Sequence, residues 1–100
     1  MTVDIKEMDD KTVVTVAGEL DTLASEDFQK ALAPLMGKEG LKVEMDMAGV
    51  SYVSSRALRV ILALAQSIMS TGGRLTVVNT TPLVRQVFDI SGFSTLFIVQ

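Results

Sequence analysis

Hydrophobic and polar residues alternate along the first part of the chain, which is typical of β-strands with one buried face. In residues 2–9, Val3 and Ile5 alternate with the charged Asp4 and Lys6, and residues 12–18 form a β-branched run after a polar turn. Two such segments joined by a short turn predict a hairpin. Residues 41–47 alternate in the same way and predict a third strand.

Helical periodicity appears in three other segments, where apolar residues recur three and four positions apart. The strongest pattern covers residues 54–70, and a later one runs from a cap at Thr80 or Thr81 through Ile90 to Gly92. The first predicted helix, after Asp21, has an apolar stripe composed of Leu23, Phe28, Ala31, Leu32, Leu35 and Met36. Asp21 or Ser25 is the expected cap of this first helix.

Strands over residues 74–79 and 96–99 complete the order β-β-α-β-α-β-α-β. Strands that alternate with helices need crossover connections and pair in parallel, whereas the first two strands form an antiparallel hairpin. We therefore expect one α/β domain over residues 1–100. Its sheet is expected to be mixed and mostly parallel, with about five strands and three helices packed against them.

Composition restricts the possible chemistry. The chain is 48% hydrophobic and 21% charged, with a formal net charge of −3, which is typical of a globular domain and argues against a nucleic-acid partner. It contains no cysteine and no histidine. Disulfides, thiolate nucleophiles, the usual zinc ligands and histidine-based catalysis are therefore excluded, and we expect no cofactor and no metal.

The chain also lacks the features of a membrane or secreted protein. Its N-terminus has no basic region followed by a long apolar region, so we expect no signal peptide. The longest apolar run is far shorter than the roughly 20 residues that a membrane span needs. We expect a cytoplasmic protein that does not insert into a membrane.

Two adjacent hydroxyls, Ser54 and Ser55, stand where a strand and loop give way to the long second helix. A helix start leaves several backbone N–H groups without partners and carries partial positive charge. A serine there can cap the helix, or it can carry a phosphoryl group that the helix end stabilises. The local sequence leaves both interpretations open.

The order and spacing of several motifs resemble STAS domains, the fold of bacterial anti-sigma factor antagonists. The motifs are GELD at 18–21, MDMAGVSY at 45–52, SS at 54–55, LRVIL at 58–62, GGRL at 72–75 and VRQVFDISGF at 84–93. The resemblance covers nearly the whole chain. Many members have one more helix after the last strand, so the resemblance implies a STAS-like fold whose C-terminal helix is truncated.

The resemblance implies a non-enzymatic interaction switch. Such proteins bind an anti-sigma factor that is also a serine kinase, and they release its other partner. The kinase phosphorylates a serine or threonine at the start of the second helix, and a phosphatase resets the cycle. The alternative is an unphosphorylated STAS scaffold or a transport accessory module, while a serine-nucleophile enzyme would lack a histidine base.

The family motif at this site reads Asp, Ser, Ser or Thr, Gly, Leu. Aligned on Leu58, this chain has Ser54, Ser55, Arg56 and Ala57, so the acidic residue, the second hydroxyl and the glycine are all replaced. By this register Ser55 falls on the first hydroxyl position and is the predicted phosphorylation site. Ser54 is the second choice.

The residues around this site form the expected partner-binding surface. They are Asp21, Ser54, Ser55, Arg56 and Arg59. Arg56 is unusual, because a cation in the first helical turn opposes the helix dipole. We expect Arg56 to pair with Asp21, with Asp46 or with a phosphate on Ser55.

Overall fold

The structure is a computed structural model that describes residues 1–92, 98 and 99. Its elements are β1 (Thr2–Glu7), β2 (Thr12–Leu20), α1 (Ala24–Leu32), β3 (Lys42–Val53), α2 (Ser55–Ser70), β4 (Arg74–Val78), α3 (Pro82–Ser91) and β5 (Ile98–Val99). A 3₁₀ turn, Ala33–Leu35, follows α1, because Pro34 has no N–H to continue the α-helical pattern. The predicted order of strands and helices is confirmed.

The strands lie in the order β1-β2-β3-β4-β5 within one sheet. β1 runs antiparallel to β2, and the other neighbours are parallel. The mixed, mostly parallel sheet and the three α-helices are therefore confirmed. The prediction of about five strands is confirmed only in part. Four strands of five to twelve residues form the sheet, and β5 adds only two residues beside β4. Residues 96 and 97 of the expected last strand lie outside the described residues.

β3 is longer than the sequence predicted. The alternating pattern covers residues 41–47, but the strand continues to Val53 because β2 lies beside it and supplies hydrogen-bonding partners. Gly49 permits a close approach of the two strands, since a Cβ atom there would lie 2.9 Å from the Cβ of Ala17. β3 therefore leads directly into Ser54, the residue before α2.

One hydrophobic core joins the sheet to all three α-helices. Alternate side chains of the strands are buried in it, including Val14, Val16, Val43, Met45, Met47, Leu75 and Val77. The helices contribute buried side chains at helical spacing, including Phe28, Leu32, Ile61, Leu64, Ile68, Val84 and Phe88. α1 packs against α2, and α3 packs against β3. The starts of the helices are therefore held in place by a shared core.

Four residues assigned to apolar stripes are exposed, so those assignments were wrong; one of them is Met69, which is 50% exposed near the end of α2. Leu23 is 87% exposed because it precedes the first turn of α1, and Met36 is exposed because it follows the 3₁₀ turn. Ile90 is 78% exposed because it lies two residues from the buried Phe88, on another face of α3. Helical periodicity alone therefore fixes neither where a helix begins and ends nor which of its faces the core covers.

Candidate functional site

Ser54 is the N-cap of α2. Its backbone is extended, with φ −77° and ψ 164°, and its hydroxyl accepts a hydrogen bond of 3.1 Å from the backbone N–H of Ala57. Its own N–H donates to the carbonyl oxygen of Leu20 at 2.8 Å, which fastens the helix start to β2. Ser54 is only 5% exposed. Of the two interpretations open to this residue, the structure shows the helix cap.

A second buried serine completes the surroundings of Ser54. The Ser25 hydroxyl donates to the carbonyl oxygen of Asp21 at 2.7 Å and lies 3.3 Å from the Ser54 hydroxyl. A hydroxyl has one hydrogen, and that of Ser25 is already donated, so Ser54 must be the donor in the bond between the two serines. We call this series the hydroxyl chain: Ala57 N–H to Ser54, Ser54 to Ser25, and Ser25 to the Asp21 carbonyl.

Ser55 differs sharply from its neighbour. It is the first residue of α2 and is exposed, and its hydroxyl has no hydrogen-bond partner among the described residues. The backbone beneath it is held firmly, because Ser54 is fastened to both β2 and α1. The site thus presents an unengaged hydroxyl in a fixed position. That Ser55 is the phosphorylation site stays a prediction.

Asp21 organises the start of α1. Its Oδ1 atom accepts a hydrogen bond of 2.7 Å from the backbone N–H of Ala24, the first residue of the helix. Of the two expected caps of α1, Asp21 provides this side-chain bond, although Leu23 is the residue that immediately precedes the helix; the Ser25 hydroxyl points back to a carbonyl and caps nothing. The half-buried Asp21 is connected to Ser54 through the hydroxyl chain, so the starts of α1 and α2 form one unit.

Arg56 and Arg59 are exposed on α2, and within the described residues neither forms an ion pair. The expected pairing of Arg56 with Asp21 or Asp46 is not present in that part of the chain. Asp46 instead accepts a hydrogen bond from the N–H of Ala48 at 3.0 Å. The first turn of α2 holds no acidic residue either. The pairing of Arg56 with a phosphate stays a prediction.

Exposed apolar side chains surround the same end of the sheet. β2, β3 and β4 are parallel, so their carboxyl ends and the helix starts that follow lie along one edge. Leu23 is 87% exposed before α1, Tyr52 is 49% exposed near the end of β3, and Leu83 is 57% exposed in the first turn of α3. We name the surface formed by Leu23, Tyr52, Ser55, Arg56, Arg59 and Leu83 the helix-start face.

Sequence reasoning missed Ser25, Leu23, Tyr52 and Leu83 as parts of the site. Ser25 is in phase with the buried Phe28 and Leu32, three and seven residues later, and this spacing was available in the sequence. Leu83 follows Pro82 in the first turn of a helix, where a side chain lies near the end of the preceding strand. Tyr52 had no comparable feature, because its segment was not assigned to a strand.

The described residues contain no group of three or more His, Cys, Asp or Glu side chains arranged to hold a metal ion. No helix in that part of the chain is long and apolar enough to cross a membrane. Within the described residues, the helix starts bring together a fixed, exposed hydroxyl, two arginines without an ion pair and exposed apolar side chains.

The fold and the site define a STAS domain. The model of that family matches residues 2–100, and the chain belongs to the family. BtrV of Bordetella bronchiseptica, whose name assigns it provisionally to the anti-sigma factor antagonists, is 30% identical over 97% of this chain and 84% of that protein. The anti-sigma-B factor antagonist of Bacillus subtilis is 29% identical over 90% of this chain and 82% of that protein.

Solved structures show the same fold. The anti-sigma factor antagonist SpoIIAA of Bacillus, in its unphosphorylated form, matches with a TM-score of 0.81 at 20% identity, covering 99% of this chain and 88% of that chain. Its phosphorylated form matches with a TM-score of 0.75 at 19% identity, covering 99% and 91%. At this level of identity the likeness establishes the architecture.

Proposed function

We propose that this protein is an anti-sigma factor antagonist that acts in the cytoplasm as a phosphorylation-controlled interaction switch. It binds an anti-sigma factor that is also a serine kinase and thereby releases the other partner of that kinase; it is not itself an enzyme. Family membership and relatives of that name, matched over most of their length, support the proposal. The observation that carries it is the exposed hydroxyl of Ser55 beside the buried cap Ser54.

The covalent step is phosphoryl transfer from a nucleoside triphosphate bound by the kinase. A bond forms between the Ser55 Oγ atom and the γ-phosphorus, and the bond from that phosphorus to the bridging oxygen breaks. The hydroxyl proton goes to a base of the kinase, and the nucleoside diphosphate leaves. A phosphatase reverses the modification with water, releasing inorganic phosphate and restoring the hydroxyl.

The structure favours Ser55 over Ser54 as the acceptor. A phosphoryl group on Ser54 would remove the proton that it donates to Ser25. It would also bring about −1.5 to −2 charges to a side chain that is only 5% exposed. A phosphoryl group on Ser55 breaks no hydrogen bond made by its side chain in the described part of the chain. The kinase can therefore reach Ser55 without unfolding the helix start.

The helix-start face has the composition of a docking surface that a phosphate can disrupt. Leu23, Tyr52 and Leu83 offer apolar area to bury, and Asp21 borders them at the start of α1. A doubly charged group placed in such a contact loses hydration and repels the partner's carboxylates. We expect phosphorylation to weaken binding by roughly 100-fold, as a buried and poorly paired charge does at other interfaces.

The test combines intact-mass analysis of the protein from its native cells with affinity capture by the purified domain. We expect one phosphoryl group that is lost in Ser55→Ala, and an anti-sigma factor kinase captured by wild type but not by Ser55→Asp. Ser70→Asp is the matched control, because it adds the same charge to an exposed serine at the far end of α2.

A constitutive scaffold would give the opposite results. The protein would then carry no phosphoryl group under any growth condition, and Ser55→Asp would capture the same partners as wild type. Phosphorylation that persists in Ser55→Ala and disappears in Ser54→Ala would move the site to Ser54.

A further inference from the structure

Helix α2 carries two charged side chains, Arg56 and Arg59, and both lie within its first five residues. The start of a helix has partial positive charge, so cations placed there are unfavourable for the helix. The start of α1 has the favourable arrangement instead, with the acidic residues Glu26 and Asp27 in its first turn. The arginines of α2 therefore gain nothing from their own helix, and their position needs another explanation.

The spacing brings Arg59 to Ser55. Residues four apart in a helix are neighbours on one face, with Cβ atoms about 5–6 Å apart. Helical side chains lean toward the N-terminus, so a long side chain covers the turn that precedes its own Cα atom. Arg59 therefore covers the turn that begins with Ser55, and Arg56 follows Ser55 directly.

Both guanidinium groups are available. Within the described residues neither has an ion-pair partner, and α2 contains no carboxylate. Arg85 on α3 shows the contrasting arrangement, because it pairs with Asp89 at 3.2 Å and donates to the carbonyl oxygen of Val99 at 3.1 Å. A phosphate on Ser55 would place an anion one helical turn from Arg59 without competition from a carboxylate of the same helix.

We propose that Arg59, assisted by Arg56, forms an intrahelical clamp for a phosphate on Ser55. The planar guanidinium group of Arg59 donates two parallel N–H bonds to phosphate oxygens. The clamp rests on the proposed phosphorylation of Ser55 and adds to it a means of regulation. Unphosphorylated, the helix-start face presents two cations to carboxylates of the partner. Phosphorylated, it holds Arg59 internally, and with Arg56 nearby its local charge falls close to zero.

The test uses the whole domain with phosphoserine inserted at position 55 during translation, so that no kinase is needed. Phosphorus NMR then follows the second pKa of the phosphate, which is ordinarily about 6. A nearby cation favours the dianion, so the phosphate pKa in wild type should be about 0.3 units lower than in Arg59→Gln. Arg59→Lys should retain part of the shift, and added salt should reduce it.

Arg74→Gln is the matched control. Arg74 is exposed, forms no ion pair in the described part of the chain, and begins β4 just after the far end of α2. The sixteen residues of α2 separate it from Ser55 by about 24 Å. We expect the phosphate pKa of this variant to equal that of wild type.

Equal phosphate pKa values in wild type and Arg59→Gln would overturn the clamp. That result would leave the proposed function intact, because the phosphoserine is inserted without the kinase. Absence of any phosphoform in cells would instead overturn the proposed function. A shift caused equally by Arg74→Gln would also contradict the clamp, because it would reflect the net charge of the domain.

Discussion

At the start of α1 a carboxylate, that of Asp21, accepts a hydrogen bond from the backbone, and two more acidic side chains follow in the first turn. At the start of α2 the neutral hydroxyl of Ser54 accepts the equivalent bond, and two arginines follow. Both helices bury an apolar face in the shared core, and they pack against each other. They differ in the charge of the side chains at their N-terminal ends, where the helix dipole is positive.

The difference separates a structural helix start from one that is suited to regulation. α1 satisfies its dipole with its own carboxylates, so an added anion would bring repulsion. α2 has a capped start but lacks negative charge, and at the same place it displays the hydroxyl of Ser55, which has no hydrogen-bond partner within the part of the chain that the structure describes. A phosphate on that hydroxyl would supply the missing charge. Departures from local helix rules are expected where function requires them.

The largest effect on stability should come from Ser54→Ala. It removes the cap and leaves the buried N–H of Ala57 without its acceptor, so the free energy of unfolding should fall by about 2 kcal/mol. Urea unfolding followed by circular dichroism measures this change. A loss below about 0.5 kcal/mol would mean that the hydroxyl chain contributes little to the helix start.

Asp21→Ala should have the next largest effect, a loss of about 1 kcal/mol, because it removes the acceptor for the Ala24 N–H at a half-buried position. Asp21→Asn is the informative control, since asparagine also caps helices well. If both variants unfold at the same urea concentration as wild type, the acidic residues in the first turn of α1 suffice without Asp21.

Exchanging single charges should affect the two helix starts in opposite directions. Arg56→Gln removes an unfavourable cation and should stabilise the domain by about 0.5 kcal/mol. Asp27→Asn removes a favourable anion from α1 and should destabilise it by a similar amount, about 0.5 kcal/mol. Thermal unfolding at low and high salt checks both, because the two effects should shrink together as salt increases. If both variants changed the stability of the domain in the same direction, the electrostatic difference between the two helix starts would be contradicted.

Ser55→Ala should have the smallest effect, a change of less than about 0.5 kcal/mol in the free energy of unfolding. Its hydroxyl makes no hydrogen bond in the described part of the chain, and the residue is exposed. The same urea experiment that measures Ser54→Ala provides the comparison between adjacent serines. A loss for Ser55→Ala as large as that for Ser54→Ala would show that Ser55 has a structural role.

Much of the fold was predictable because the periodic patterns are local. The order of strands and helices and the parallel pairing follow from such patterns. The end of β3 was not predictable in this way, since Val53 is in a strand only because β2 lies beside it. The exposure of Leu23 and Ile90 depends on where each helix begins and on which face the core covers, and periodicity alone does not determine either.

The candidate site was predictable to the extent that it is continuous in sequence. The helix start, the adjacent serines and the arginines could all be identified from residues 54–59. The contact between Ser25 and Ser54 could not, because 29 residues separate them and only the docking of α1 on α2 brings them together. That contact distinguishes the buried serine from the exposed one.

The hydroxyl chain has a practical consequence for choosing a substrate in kinase assays. A synthetic peptide covering the first turns of α2 would contain both serines and both arginines, but neither Ser25 nor the Asp21 carbonyl. Helices shorter than about 12–15 residues are marginal in water. Such a peptide would present Ser55 in many changing conformations. Rate constants measured with it would describe a different substrate, so a faithful assay needs the intact domain.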